Sequence, residues 1–278
     1  MVAALTACSL ARLGYSNGET LTYWWLNGYV GFDDDQSPWV RQRIDKLFVW
    51  HRHTQLKDYV QFLTAAQRRL QHEAIKPNVL TDYEELTRLG EKIIDQAAPD
   101  LADLALSITP ENIDHLREKF SSNNDKFRKE YLRSDRQEQQ EHRFRQVMEW
   151  AEYWFGDFSD EQEAAIRRAS DQRPLNNDMW MADRMQRQQA LFALLKRIQT
   201  EKPSRDEVTG MIRAYVHNNY LARAEATPEM KAFFDVSKDG VAQLSVAIIN
   251  LTTPAQKQHA QAKLQQWIDD FNALAAKN

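Results

Sequence analysis

Cysteine occurs once in these 278 residues, at Cys8. A single thiol excludes an internal disulfide, a Cys-x-x-Cys redox pair and a cysteine-rich zinc site. Glycine and proline are scarce at eight each, below their usual shares of roughly 7% and 5%. So few breakers imply long helices. No stretch approaches the roughly 18 apolar residues of a spanning helix; the longest candidate, 241–251, is interrupted by Gln243, Ser245 and Asn250. An excess of positive charge is missing too. The net charge of −4 leaves no basic footprint for nucleic acid, so no nucleic-acid partner is expected.

What is present starts at the lone cysteine. Leu5-Thr6-Ala7-Cys8 has the order of a lipobox: an apolar residue, two small ones, then the cysteine that carries lipid. A secretory signal needs a basic n-region and a longer apolar run before the cleavage site. Residues 1–7 hold only the end of such a signal, so a start further upstream is expected. Lipidation is expected at Cys8, with residues 8–18 as a tether and 19–278 as the body. Each buried CH₂ contributes about 0.8 kcal/mol, so one acyl chain holds marginally and several hold firmly. Ser9 stands where an aspartate would resemble an inner-membrane retention signal. The expected address is therefore the periplasmic face of the outer membrane, with the membrane itself as first partner. If residues 1–7 are no signal remnant, the alternative is a cytoplasmic protein.

The body reads as helices throughout. Ser or Thr before Pro supplies an N-cap and a pre-set first residue, at Ser37-Pro38, Thr109-Pro110, Thr227-Pro228 and Thr253-Pro254. Capping boxes are expected at Ser159 with Gln162, Ser204 with Glu207, and Thr253 with Gln256. Leu264, Trp267, Ile268, Phe271 and Leu274 recur at three and four, one face of an amphipathic helix. No comparable run alternates with period two. The expected fold is all-α, a multi-helix bundle of about nine to ten helices, an elongated form included. Ser16-Asn17-Gly18 reads as a turn before the first of them. From Arg133 to Arg143 no residue is apolar. That stretch is the candidate domain junction, within one or two long helices over 113–154; the plainer reading is a solvated surface helix.

Chemistry is sparse. No acid stands three before His72, His115, His142, His217 or His259, as a di-iron bundle requires. His51 and His53 diverge by about 200° on a helix and cannot share a metal. Asp33-Asp34-Asp35 fails as an EF-hand loop, since Pro38 and Ile44 occupy its glycine and glutamate positions; the acids instead suit the positive end of the following helix. Asp269-Asp270 are helix neighbours facing different ways. Neither a catalytic residue, a metal nor a cofactor is expected. The aromatics Tyr23-Trp24-Trp25 and Trp150, Tyr153, Trp154, Phe155 and Phe158 could belong to a membrane interface, but helical spacing favours core.

Cys8-Ser9-Leu10-Ala11-Arg12-Leu13-Gly14-Tyr15, then Tyr23-Trp24-Trp25-Leu26, Phe32-Asp33-Asp34 and Trp267-Ile268-Asp269-Asp270-Phe271, resemble a family of bacterial lipoproteins of unknown function. The resemblance implies an all-helical body and lipid at Cys8, and no catalytic residues. Phe158-Ser159-Asp160-Glu161-Gln162 also resembles the Leu-Thr-x-x-Gln signature of small periplasmic helical chaperones. Leu251 to Gln256 matches with one residue too many. The expected role is thus a non-catalytic binding or scaffolding one with an envelope protein partner. A chaperone-like stress protein and an enzyme whose site is assembled only by the fold are the alternatives. An apolar groove would favour binding; a closed cavity with several titratable groups of shifted pKa would favour the enzyme.

Overall fold

A computed structural model describes residues 10–132 and 135–276. Among them every regular element is helical: α1 (Leu10–Ser16), α2 (Gly18–Val30), α3 (Gln36–His53), α4 (Gln55–Arg69), α5 (Lys76–Ser107), α6 (Pro110–Tyr131), α7 (Arg136–Phe155), α8 (Asp160–Asp171), α9 (Asn177–Glu201), α10 (Arg205–Val216), a π-helical turn (His217–Leu221), α11 (Pro228–Leu251) and α12 (Pro254–Ala275). The class is as expected and the helix count higher. Two interruptions account for part of the excess. The turn at Asn17 separates α2 from α1, which already occupies most of the expected tether and packs on α2 and α12. At Thr54 the hydroxyl bonds back to the Trp50 carbonyl at 2.7 Å, a local competitor of the helix ladder, and α3 gives way to α4.

The helix starts follow the capping chemistry with one correction. Ser159, Ser204 and Thr253 form the expected boxes, and Thr109 forms a fourth with Asn112. Ser37, however, is not a cap. Asp33 Oδ1 accepts from the N–H groups of Asp35 and Gln36 at 3.0 and 2.7 Å, so α3 opens before Ser37-Pro38. The Ser37 hydroxyl instead accepts from Tyr23.

Packing produces three buried clusters. The first joins α7, α8, α11 and α12 through Phe144, Phe155, Ile166, Ile248 and Leu264. The second joins α5, α6, α9 and α10. The third lies between α2 and α3 at Tyr23, Val40 and Ile44. In the second, Ala98, Ala102 and Ala105 leave α5 with little side chain, and Val208 and Ile212 of α10 close onto it. Pro99 sits inside α5 and lacks the N–H that would bond the Asp95 carbonyl. Arg213 of α10 replaces it, donating to that carbonyl at 3.2 Å and pairing with the Asp95 carboxylate at 3.1 Å.

The segment 113–154 holds two helices, and the described part of the apolar-free stretch opens the second. α6 ends at Tyr131, and α7 starts behind Asp135, whose side chain accepts from Gln137 N–H. Its polar residues are not simply solvated. Asn177 of α9 donates to the Tyr131 carbonyl and to Gln139, and Glu141 pairs with Arg167 of α8.

Candidate functional site

Cys8 lies outside the described residues. The nearest described surface is the pair α1 and α2. α1 is held down by Arg12, whose guanidinium pairs with buried Asp270 of α12, while Asp269 stays exposed. Tyr15 completes the contact. Its hydroxyl meets His51 Nδ1 at 2.9 Å, and His51 Nε2 meets the Tyr59 hydroxyl at 3.3 Å. Each hydroxyl can donate or accept, so the pair suits a neutral imidazole, which donates from one ring nitrogen and accepts at the other. Burial lowers the His51 pKa and raises those of Tyr15 and Tyr59. His53 is exposed, so the two histidines part as their spacing requires.

The expectation that the aromatics are core holds for only some of them. Tyr23 and Phe155 are buried, but Trp24 and Trp25 are 69% and 62% exposed, with Leu21 at 59%; Trp150 and Tyr153 are exposed as well. The reason is angular. On α2, Tyr23 faces α3, whereas positions 21, 24 and 25 share the opposite side of the helix. Leu21, Trp24 and Trp25 thus form an apolar face next to the helix that begins two residues after Cys8.

The two chaperone-like segments meet. Gln162 and Gln256 each accept from their own N-cap N–H, at 3.0 and 2.9 Å. Their amide groups then bond each other, Gln162 Nε2 to Gln256 Oε1 at 2.9 Å and the reverse at 3.2 Å. The remaining donors reach the Leu251 and Asp157 carbonyls. The signature here joins the starts of α8 and α12, a packing role.

A cleft of about 330 Å³ is bounded by α5, α7, the link from α8 to α9, the start of α9, the end of the π-helical turn, and α11. Five cations line it, Arg143, Arg173, Arg223, Lys231 and Lys238, against one carboxylate, Asp235. Arg143 is committed to structure: it donates to the Ser170 and Pro174 carbonyls at 2.8 and 3.0 Å, at the negative end of α8. Arg223 leans on Asp183 at 3.5 Å and lies 3.7 Å from the Phe234 ring centre. Its backbone is left-handed, with φ of 45°, directly after a π-helical turn whose Ala222 N–H reaches back to the His217 carbonyl at 2.8 Å. Such turns are frequent at functional sites. Arg173 is different, for among the described residues no carboxylate pairs with it. Its Nε is buried without a hydrogen-bond partner, as are Arg143 Nε and Ser237 Oγ on the same lining. Burial lowers the pKa of Arg173, and burial plus the Arg173 charge brings Arg143 down to about 10. The opposite wall is apolar and aromatic, with Trp180 edge-on to Phe234 at 4.6 Å between ring centres. Sequence reasoning passed over these residues because Arg143 ends a polar stretch. The available signal was its register: Arg143 stands four before Val147 and eight before buried Ala151, on the inward stripe of α7.

Among the described residues no group of three or more His, Cys, Asp or Glu could hold a metal ion, and no helix is long and apolar enough to cross a membrane. Fold and site together define an all-helical protein with a cationic, aromatic-walled cleft. The chain belongs to a family of unknown function, DUF6279, whose model matches residues 28–215. No curated protein and no solved structure matches it. The matched span contains Arg143 and Arg173 and begins after Cys8 and Tyr23-Trp24-Trp25.

Proposed function

We propose that this protein is a lipid-anchored envelope protein, fixed through Cys8 to the periplasmic face of the outer membrane, that binds rather than catalyses. The observation that carries the reading is the exposed Leu21, Trp24 and Trp25 face, set beside the helix that follows the lipobox. Trp favours the membrane–water interface, and an acyl anchor at Cys8 would hold that face within reach of it. The cleft favours binding over turnover. Groups with displaced pKa do meet in it, as an enzyme would require, but they are arginines. Even Arg143, at about 10, stays charged at neutral pH, so it attracts anions and exchanges no protons. Confinement at the membrane raises the effective concentration of the body for envelope components there.

The test is intact mass and membrane fractionation of the protein expressed from the earliest upstream in-frame start. A chain beginning at Cys8 with added acyl mass, in the outer membrane, is expected, and Cys8→Ser should leave that fraction. An unmodified chain retaining Met1 outside the membrane would overturn the address.

A further inference from the structure

Arg173 sets the character of the cleft. Its stem crosses α11 at Gly240, where a Cβ would stand 3.2 Å from Arg173 Cγ and 3.5 Å from Pro174 Cδ. That crossing keeps the arginine against α11 instead of leaving it to solvent. Around it lie Ser237, whose hydroxyl is buried and unbonded, and Lys238, exposed on the rim near Tyr83. Arg173 is half-buried, and taking its Nε out of water without a hydrogen-bond partner or counter-charge is costly. Asp235, the carboxylate on the lining, is an exposed residue of α11 and acts on Arg223. Asp171 acts on Arg143, and Asp183 is taken by Arg187 and Arg223. Positive charge therefore exceeds negative on the lining, and apolar and aromatic side chains share the same cavity, with Arg223 lying over the Phe234 ring.

We propose that the cleft binds a small amphipathic anion, with a carboxylate or phosphate at Arg173 and Ser237 and its apolar body against Phe234, Trp180 and Val241. Guanidinium matches either oxyanion with paired N–H donors. A cavity of about 330 Å³ falls at the small end of the range for small-molecule sites, roughly 300–1,000 Å³, which suits one short chain or ring. The inference rests on the binding role proposed above but does not need the anchor. A chain that stays unlipidated yet takes up such anions would remove the address alone; a lipidated chain that takes up none would remove the ligand alone.

The test is calorimetric titration of the full chain with decanoate and decyl phosphate, each below its micelle concentration. Inorganic phosphate and decyltrimethylammonium serve as controls. Both decyl anions should bind saturably, and the tighter of the two identifies the head group. Inorganic phosphate should bind at least tenfold more weakly, and the decyl cation not at all. Arg173→Gln should weaken the anions about tenfold or more. Lys238→Gln, an exposed change that leaves packing alone, should weaken them a few-fold and flatten the salt dependence. Equal uptake of the decyl cation would overturn the proposal. So would affinity untouched by both substitutions, or no binding of either anion.

Discussion

Asn112 shows how one side chain fastens three segments. It is buried, and all its polar capacity is used. Nδ2 donates to the carbonyls of Val30 and Gly31 at 3.1 and 2.8 Å; Oδ1 accepts from Gln36 Nε2 and Thr109 N–H, both at 3.0 Å. Removing it strands several buried groups, each costing about 1–3 kcal/mol. Asn112→Ala should lower unfolding free energy by about 3 kcal/mol in urea titration. His51 makes a second residue-scale prediction. Its folded pKa is lowered by burial, so the unfolded chain binds the proton more readily. The contribution is complete above the unfolded value of about 6.5 and is lost as pH falls from there toward the folded value. Melting temperature should decline between pH 7 and 5, and His51→Phe should flatten that decline.

Between helices, the paired glutamines carry the sharpest expectation. Gln162 and Gln256 each satisfy their own cap and then one another, so their losses should not add. In a double-mutant cycle, Gln162→Ala and Gln256→Ala should show a coupling of about 1 kcal/mol; strict additivity would mean independent caps. Here the sequence was partly legible. Both boxes follow from Ser or Thr with Gln three residues on, because capping is local. Their meeting is not local, for they stand 94 positions apart. The same division explains Ser37, where a local rule met a stronger acceptor in Asp33. It also explains the cleft. Arg143 finds its carbonyls only because α8 ends beside α7, and Arg173 its bed only because α11 passes beneath.

For the molecule as a whole, fold class was legible from composition and caps. Which aromatics would be covered was not, because that depends on which neighbour each helix face meets. The exposed face of α2 then gives an expectation about orientation. In vesicles carrying brominated lipid, the acylated protein should lose tryptophan emission through Trp24 and Trp25. The double variant Trp24→Phe with Trp25→Phe should lose most of that quenching while its melting temperature moves little, since both rings lie outside the core. Quenching that survives the double change would place another surface against the lipid.

Gly240 has a bearing on how the cleft can vary among chains of this kind. An alanine there would need the Arg173 stem to yield by a few tenths of an ångström. Any larger side chain would claim the same ground and turn the guanidinium outward. The cleft would then keep Arg143, Arg223, Lys231 and Lys238 but lose the guanidinium proposed to meet the anion, so anions should bind it more weakly. The missing side chain at Gly240 is thus what lets the Arg173 stem lie against α11.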